Sequence, residues 1–187
     1  MKKFALAGAL AALAASCAVV LAQEEWTPPQ PSKEHQWLKQ FIGEWESEAE
    51  MQGAPGAPAQ KMKGSETVRG LGELWIVSNL EGEMPGDAGK MQGMMTVGFD
   101  AQKGKFVGTW VDSVMPHMWI YEGELDATGK ILTLNSVGPN MMTGVGTANY
   151  RDITEFKSPD HRVLTSQAEL PDGTWVTFMT ANYHRKK

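Results

Sequence analysis

The stretch GEWESEAEM, residues 43–51, alternates without a break. Trp45, Ser47, Ala49 and Met51 fall on one parity, and Glu44, Glu46, Glu48 and Glu50 on the other. A period of two is that of a β-strand, whose successive side chains point to opposite faces. One face of this strand is apolar or small, and the other is a row of carboxylates for water. Similar runs recur downstream: Met62–Arg69, Glu73–Glu83, Met91–Phe99, Lys105–Ser113, His117–Leu125, Lys130–Val137, Val145–Phe156, Arg162–Leu170 and Trp175–His184. That makes about ten strands, spaced as in an antiparallel meander.

The breaks between runs carry turn chemistry. Asp100-Ala-Gln-Lys-Gly104 and Asp126-Ala-Thr-Gly-Lys130 each open on Asp and supply a Gly, and Pro171-Asp172-Gly173 is a tight hairpin signal. Gln52–Gln60 and Pro85–Gly89 read as longer loops. No long helical period separates the strands, which excludes a parallel α/β sheet. An open sheet of this size would leave two edges bare, and closure removes them. The expected fold is therefore all-β: an antiparallel up-and-down barrel. Upstream, Ser32 can cap a short helix over Lys33–Phe41 that places Trp37, Leu38 and Phe41 on one face, with Gly43 ending it. Such a helix would close one mouth.

Residues 33–187 thus form the barrel domain, and residues 23–32 a Pro-rich linker. Residues 1–22 have the pattern of a signal peptide: Lys2 and Lys3, an Ala/Leu/Val run, then small residues at Val20-Leu21-Ala22. They point to a secreted or periplasmic protein with no stable membrane span after cleavage. Leu13-Ala-Ala-Ser-Cys17 offers lipidation at Cys17 as a second reading. Cys17 is the chain's single cysteine, so cleavage after Ala22 leaves a cysteine-free domain. Cleavage also removes two positive charges from a chain of net charge −5. That mildly acidic balance gives no support for a nucleic-acid partner.

Catalytic signatures are missing. There is no G-x-S-x-G elbow, P-loop, G-x-G-x-x-G or HExxH, and His35, His117, His161 and His184 show no zinc-like spacing. No catalytic residue, metal ligand or cofactor follows from the sequence. The strand phases do suggest a wall. Phe106, Gly108, Trp110 and Asp112 share one face. His117, Trp119, Tyr121, Gly123 and Leu125 share another, opposite Glu122 and Glu124. With the glutamates outside, His117, Trp119 and Tyr121 point inward; both faces of the Phe106 strand are largely apolar, and if the Phe106 face is also inward, Trp110, Asp112, His117, Trp119 and Tyr121 line one side of the interior. Aromatic surface with a few polar groups is the make-up of a small-molecule site, although aromatic residues also fill barrel cores. Asp112 and His117 flank a short turn. An Asp–His contact there would raise the histidine pKa and fix its tautomer. Met115-Pro-His117-Met118 raises Cu(I) as a further possibility, because thioether and imidazole are soft ligands.

The blocks HQWLKQFIGEW (His35–Trp45), VGFDAQKGKFVGTWVDS (Val97–Ser113), PHMWIYEG (Pro116–Gly123) and NYRDITEFKSPDHRV (Asn149–Val163) resemble the bacterial domain of unknown function 1579 family. The similarity runs from about Lys33 to the C-terminus. It implies a calycin-like barrel and no established activity. Gly43-Glu44-Trp45 is also similar to the opening of calycin barrels, including lipocalins, fatty-acid-binding proteins and nitrobindins. By analogy with fatty-acid-binding barrels, Arg151 is a candidate for an acidic head group. In nitrobindins a histidine near the C-terminal strand ligates haem. His184 lies in the last strand here, but its surroundings do not match that motif.

The leading expectation is a non-enzymatic exported barrel that binds a small apolar ligand through Trp110, Asp112, His117, Trp119, Tyr121 and Arg151. The alternatives are an enzyme on a lipid-like substrate using the Asp–His pair, and a haem or Cu(I) binder.

Overall fold

The computed structural model describes residues 27–52, 58–84 and 89–187. The expected signal peptide, the lipidation candidate Cys17 and the first part of the linker lie outside the described residues. Among the described residues, no helix is long and apolar enough to cross a membrane.

A six-residue helix, α1 (Lys33–Leu38), runs into a 3-10 turn (Lys39–Phe41). Ten strands follow: β1 (Gly43–Met51), β2 (Gln60–Leu71), β3 (Trp75–Glu83), β4 (Lys90–Asp100), β5 (Lys105–Asp112), β6 (Trp119–Leu125), β7 (Ile131–Pro139), β8 (Thr147–Ser158), β9 (His161–Glu169) and β10 (Trp175–Arg185). Each pairs antiparallel with its neighbours in sequence, and β10 returns to β1 to close the barrel. The closing seam runs from Trp45 opposite Arg185 to Met51 opposite Met179. The sheet has no free edge, as the meander pattern predicts.

The alternation of β1 is kept. Trp45 and Ser47 are buried, while Glu44, Glu46, Glu48 and Glu50 are exposed. The anticipated turns form with Asp as the organiser. Asp100 Oδ1 accepts from the amides of Gln102 and Lys103, and Asp126 Oδ1 from those of Lys130 and Ile131. Gly104 (φ 65°) and Gly129 (φ 71°) supply the left-handed residue that each tight turn needs.

Ser32 starts α1, and its amide donates to His35 Nδ1 at 2.9 Å. Leu38, Phe41 and Trp45 pack fully inside, and the Trp37 indole donates to Gly129 O at 2.7 Å. Trp37, Phe41, Phe106 and Phe156 meet edge to face at 5.0–5.8 Å. This aromatic layer fills the helix end. Within it lies a buried ion pair, Arg162 with Glu66, which also accepts from Ser78 Oγ. The Arg162 guanidinium stacks on Tyr183 at 3.9 Å, with Trp45 at 4.9 Å. One half of the barrel is thus plugged by the helix and its aromatics, and the opposite half carries the candidate wall.

Candidate functional site

β5 and β6 bring the wall together. Trp110 stands opposite Trp119, and Gly108 opposite Tyr121. Both glutamates of β6 are exposed and Trp119 and Tyr121 are buried, so the phase read from the sequence is the one formed. Glycines make room for the large rings. A Cβ on Gly93 would sit 2.1 Å from the Trp110 ring, and one on Gly138 would sit 2.3 Å from the Trp119 ring. β6 begins at Trp119, two residues later than the run His117–Leu125 suggests. His117 therefore lies on the lead-in to the strand, with its ring edge to face against Trp119 at 4.9 Å. Trp119 in turn meets Tyr150 at 4.9 Å, and Tyr150 meets Phe178 at 6.2 Å.

Asp112 and His117 are not joined by a hydrogen bond. Asp112 Oδ2 accepts from the Trp110 indole at 3.0 Å, and Oδ1 from the amides of Val114 and Met115 at 2.9 and 2.8 Å. The carboxylate organises the β5–β6 loop and holds Trp110 in place. His117 Nε2 is buried with no hydrogen-bond partner. An acid–base pair is therefore not assembled. Nor do the local thioethers converge: Met115 packs against the core, while Met118 is exposed.

Arg151 lies on the outer face. Its Nε donates to Gln167 Oε1 at 2.6 Å, and its guanidinium stacks on Trp175 at 4.1 Å. The inward residue is its neighbour Asp152, because adjacent strand residues face opposite ways. His184 is likewise external, stacked on His161 at 4.4 Å, so it does not face the interior.

Sequence reasoning overlooked the polar group at the centre of the wall. Tyr121 donates to Asp152 Oδ2 at 2.6 Å, and Ser166 donates to Oδ1 at 2.5 Å. Burial raises the Asp152 pKa, against the two hydroxyl bonds that lower it. Burial, reinforced by the Asp152 charge, pushes the Tyr121 phenol well above its ordinary value. A raised folded-state pKa means that the native protein holds this proton more tightly than the unfolded chain. Stability then falls as pH rises from about 4 through the folded-state pKa. Replacing Asp152 with Asn removes that slope. Urea melts between pH 4 and 7 should show wild type gaining on Asp152→Asn as the pH drops.

In this half of the interior Met95, Trp110, Asp152 and Phe178 are only partly buried. Beside it, β6 and β7 part. Their ladder covers Glu122–Leu125 against Leu132–Asn135 and goes no further toward Trp119 and Gly138. A cleft of about 620 Å³ lies over this corner. Its lining includes inward Tyr121, Ser136 and Tyr150, together with outward Val107, Ile120 and Val137.

A family described as a protein of unknown function (DUF1579) matches residues 30–185. No functionally curated protein matches the sequence. Among solved structures, the chain is similar to the S-type phycobiliprotein lyase CPES from Guillardia theta: TM-score 0.58, 16% identity, covering 85% of this chain and 99% of that one. It is also similar to Rv2717c from M. tuberculosis: TM-score 0.60, 12% identity, covering 84% of this chain and 100% of that one. At such identities the likeness speaks for the barrel fold.

Proposed function

The chain belongs to the DUF1579 family, and from that premise we propose that it is an exported calycin-like barrel that binds a small apolar ligand with one polar end. Export rests on the pattern of residues 1–22 alone. The observation that carries the binding reading is His117 Nε2, buried beside aromatic rings without a partner. A buried polar atom left unpaired is costly, and a ligand hydroxyl or carbonyl is one group that would satisfy it. Trp110, Trp119, Tyr150 and Phe178 supply the apolar contact area, and a site of this make-up is typical for small molecules. Tyr121, bound to Asp152 through its proton, keeps a lone pair free for a donor on the ligand. Asp112 is committed to the β5–β6 loop, so the Asp112–His117 pair does not favour turnover.

Native mass spectrometry of the full chain purified from its own host should reveal a bound mass. Titration with 1-dodecanol should quench tryptophan emission. His117→Ala should weaken that titration about tenfold, the worth of one hydrogen bond to a buried group. A chain that carries no bound mass and leaves its emission unchanged on titration ends the proposal.

A further inference from the structure

We propose that the outer face of the closing seam is a site for one divalent ion of the zinc type, held by His161, His184 and Glu46. The site is separate from the interior and owes nothing to the ligand reading above.

The register sets these three side chains in one row. His161 on β9 stands directly opposite His184 on β10, and His184 directly opposite Glu46 on β1. All three point outward, because their chain neighbours Arg162, Tyr183, Trp45 and Ser47 are buried inside the barrel. Residues opposite one another on antiparallel strands have Cβ atoms about 5 Å apart, close enough to share an ion. No spacing in the sequence announces the set. Only closure of the barrel brings β1 beside β10.

The two imidazoles are already gathered, with ring centroids 4.4 Å apart and planes 13° from parallel. One of them is also oriented. His161 Nε2 lies 3.1 Å from Asn182 Oδ1. That oxygen carries no proton, so Nε2 donates and Nδ1 keeps a free lone pair. A ring that donates one N–H to a nearby oxygen and offers its other nitrogen is the arrangement that orients metal-bound histidines. The charge around the row is favourable as well. Glu44, Glu46, Glu48 and Glu50 form an exposed acidic face on β1, whose field attracts cations. Lys186 reaches Glu46 only at 4.0 Å, and Arg185 is engaged with Asp160 and the carbonyls of Gln40 and Ile42.

The donor set decides the class of ion. Two imidazoles and a carboxylate suit zinc and its first-row neighbours, whereas magnesium and calcium take oxygen ligands. Zinc–nitrogen bonds of about 2.0–2.1 Å at a tetrahedral angle put two ligand nitrogens roughly 3.4 Å apart. The ring tips therefore close by about 1 Å on binding, and Glu46 turns away from Lys186. Among the described residues no three such groups converge in advance, so the ion itself completes the site. Water takes the fourth position. An ion placed here ties β9, β10 and β1 together across the seam, and so stabilises the closed barrel by mass action.

The test is calorimetric titration of the full chain with zinc chloride, alongside urea melts with and without zinc. Wild type should take up one zinc per chain and gain stability from it, and magnesium chloride should do neither. Asn182→Ala should weaken zinc binding about tenfold, the scale for losing an orienting partner. His161→Phe and His184→Phe keep a ring in the stack but remove the nitrogens, and each should cost more than that. Glu46→Gln should weaken binding severalfold, while Glu50→Gln on the same acidic face should not. All forms carry the same N-terminal residues, so a difference between them belongs to the barrel. The absence of saturable uptake overturns the proposal, as does uptake unchanged in both histidine variants. Equal effects of Glu46→Gln and Glu50→Gln, or equal uptake of magnesium, would leave only a general attraction of cations to β1 and overturn it too. The 1-dodecanol titration should be the same with and without zinc, so failure of either proposal is read separately from the other.

Discussion

Arg162→Met should lower the unfolding free energy by about 3–5 kcal/mol, the scale for stranding one member of a buried ion pair. Arg162 and Glu66 are 3% and 5% exposed, so neither charge can turn to water. Glu66 would keep its bond from Ser78 but lose its cation, inside a layer of Phe41, Trp45 and Tyr183. The methionine stem would replace most of the volume, so the loss would be electrostatic rather than a cavity. The double variant Glu66→Gln, Arg162→Met separates the two causes. With no charge left to strand, it should recover most of the deficit in urea melts at pH 7. Equal losses in single and double variants would show that packing of the guanidinium between rings, not charge pairing, is what counts.

The two halves of the interior handle polar groups differently. At the helix end, Glu66 pairs with Arg162 and accepts from Ser78 inside an aromatic shell, and Arg162 Nε is left without a hydrogen-bond partner. Mid-barrel, Asp152 has two hydroxyl donors and no cation among its hydrogen-bond partners, and His117 Nε2 has no partner. The first arrangement closes a mouth. The second keeps a carboxylate on hydroxyl donors alone and a ring nitrogen unpaired among aromatic rings.

Most of the barrel was legible because its strands are half wet. The glutamates of β1 and β6 betray the outer face, so Trp45, Trp119 and Tyr121 could be placed inside from period alone. β8 shows where that logic was left unused. In NYRDITEF, Tyr150, Asp152, Thr154 and Phe156 share a parity, and the two rings mark it as inward. The same step sends Arg151 out, where it stacks on Trp175. Glu66 was legible in the same way, with Met62, Gly64 and Val68 on its parity and Lys61, Lys63 and Arg69 on the other. Its pairing with Arg162 was not, because nothing local ties residues 96 apart. The failed Asp112–His117 contact has a local cause. Asp112 sits just before a tight loop whose free amides capture the carboxylate, an Asx-type competition that residue spacing alone does not reveal.

Trp119→Ala should cost about 3–5 kcal/mol, and the loss should be coupled to Gly138. Where the β6–β7 ladder stops, the Trp119 ring lies over Gly138 in place of further backbone pairing. It also supports His117 and Tyr150 from either side. Truncation would open a cavity, release Tyr150 and so loosen the Met141 amide that its hydroxyl holds. Gly138→Val should be destabilising on its own by about 1–3 kcal/mol, because its side chain would collide with the indole. In the double variant the valine occupies space that the indole has vacated, so its loss should fall short of the sum of the two single losses by about 0.5–3 kcal/mol. A double-mutant cycle in urea reads this directly. Strict additivity would mean that the ring and the glycine do not share one volume, and the corner would then owe its opening to the strands alone. Loss of dodecanol quenching in Trp119→Ala, but not in Gly138→Val with the indole still present, would further tie the ring to ligand contact rather than to wall geometry.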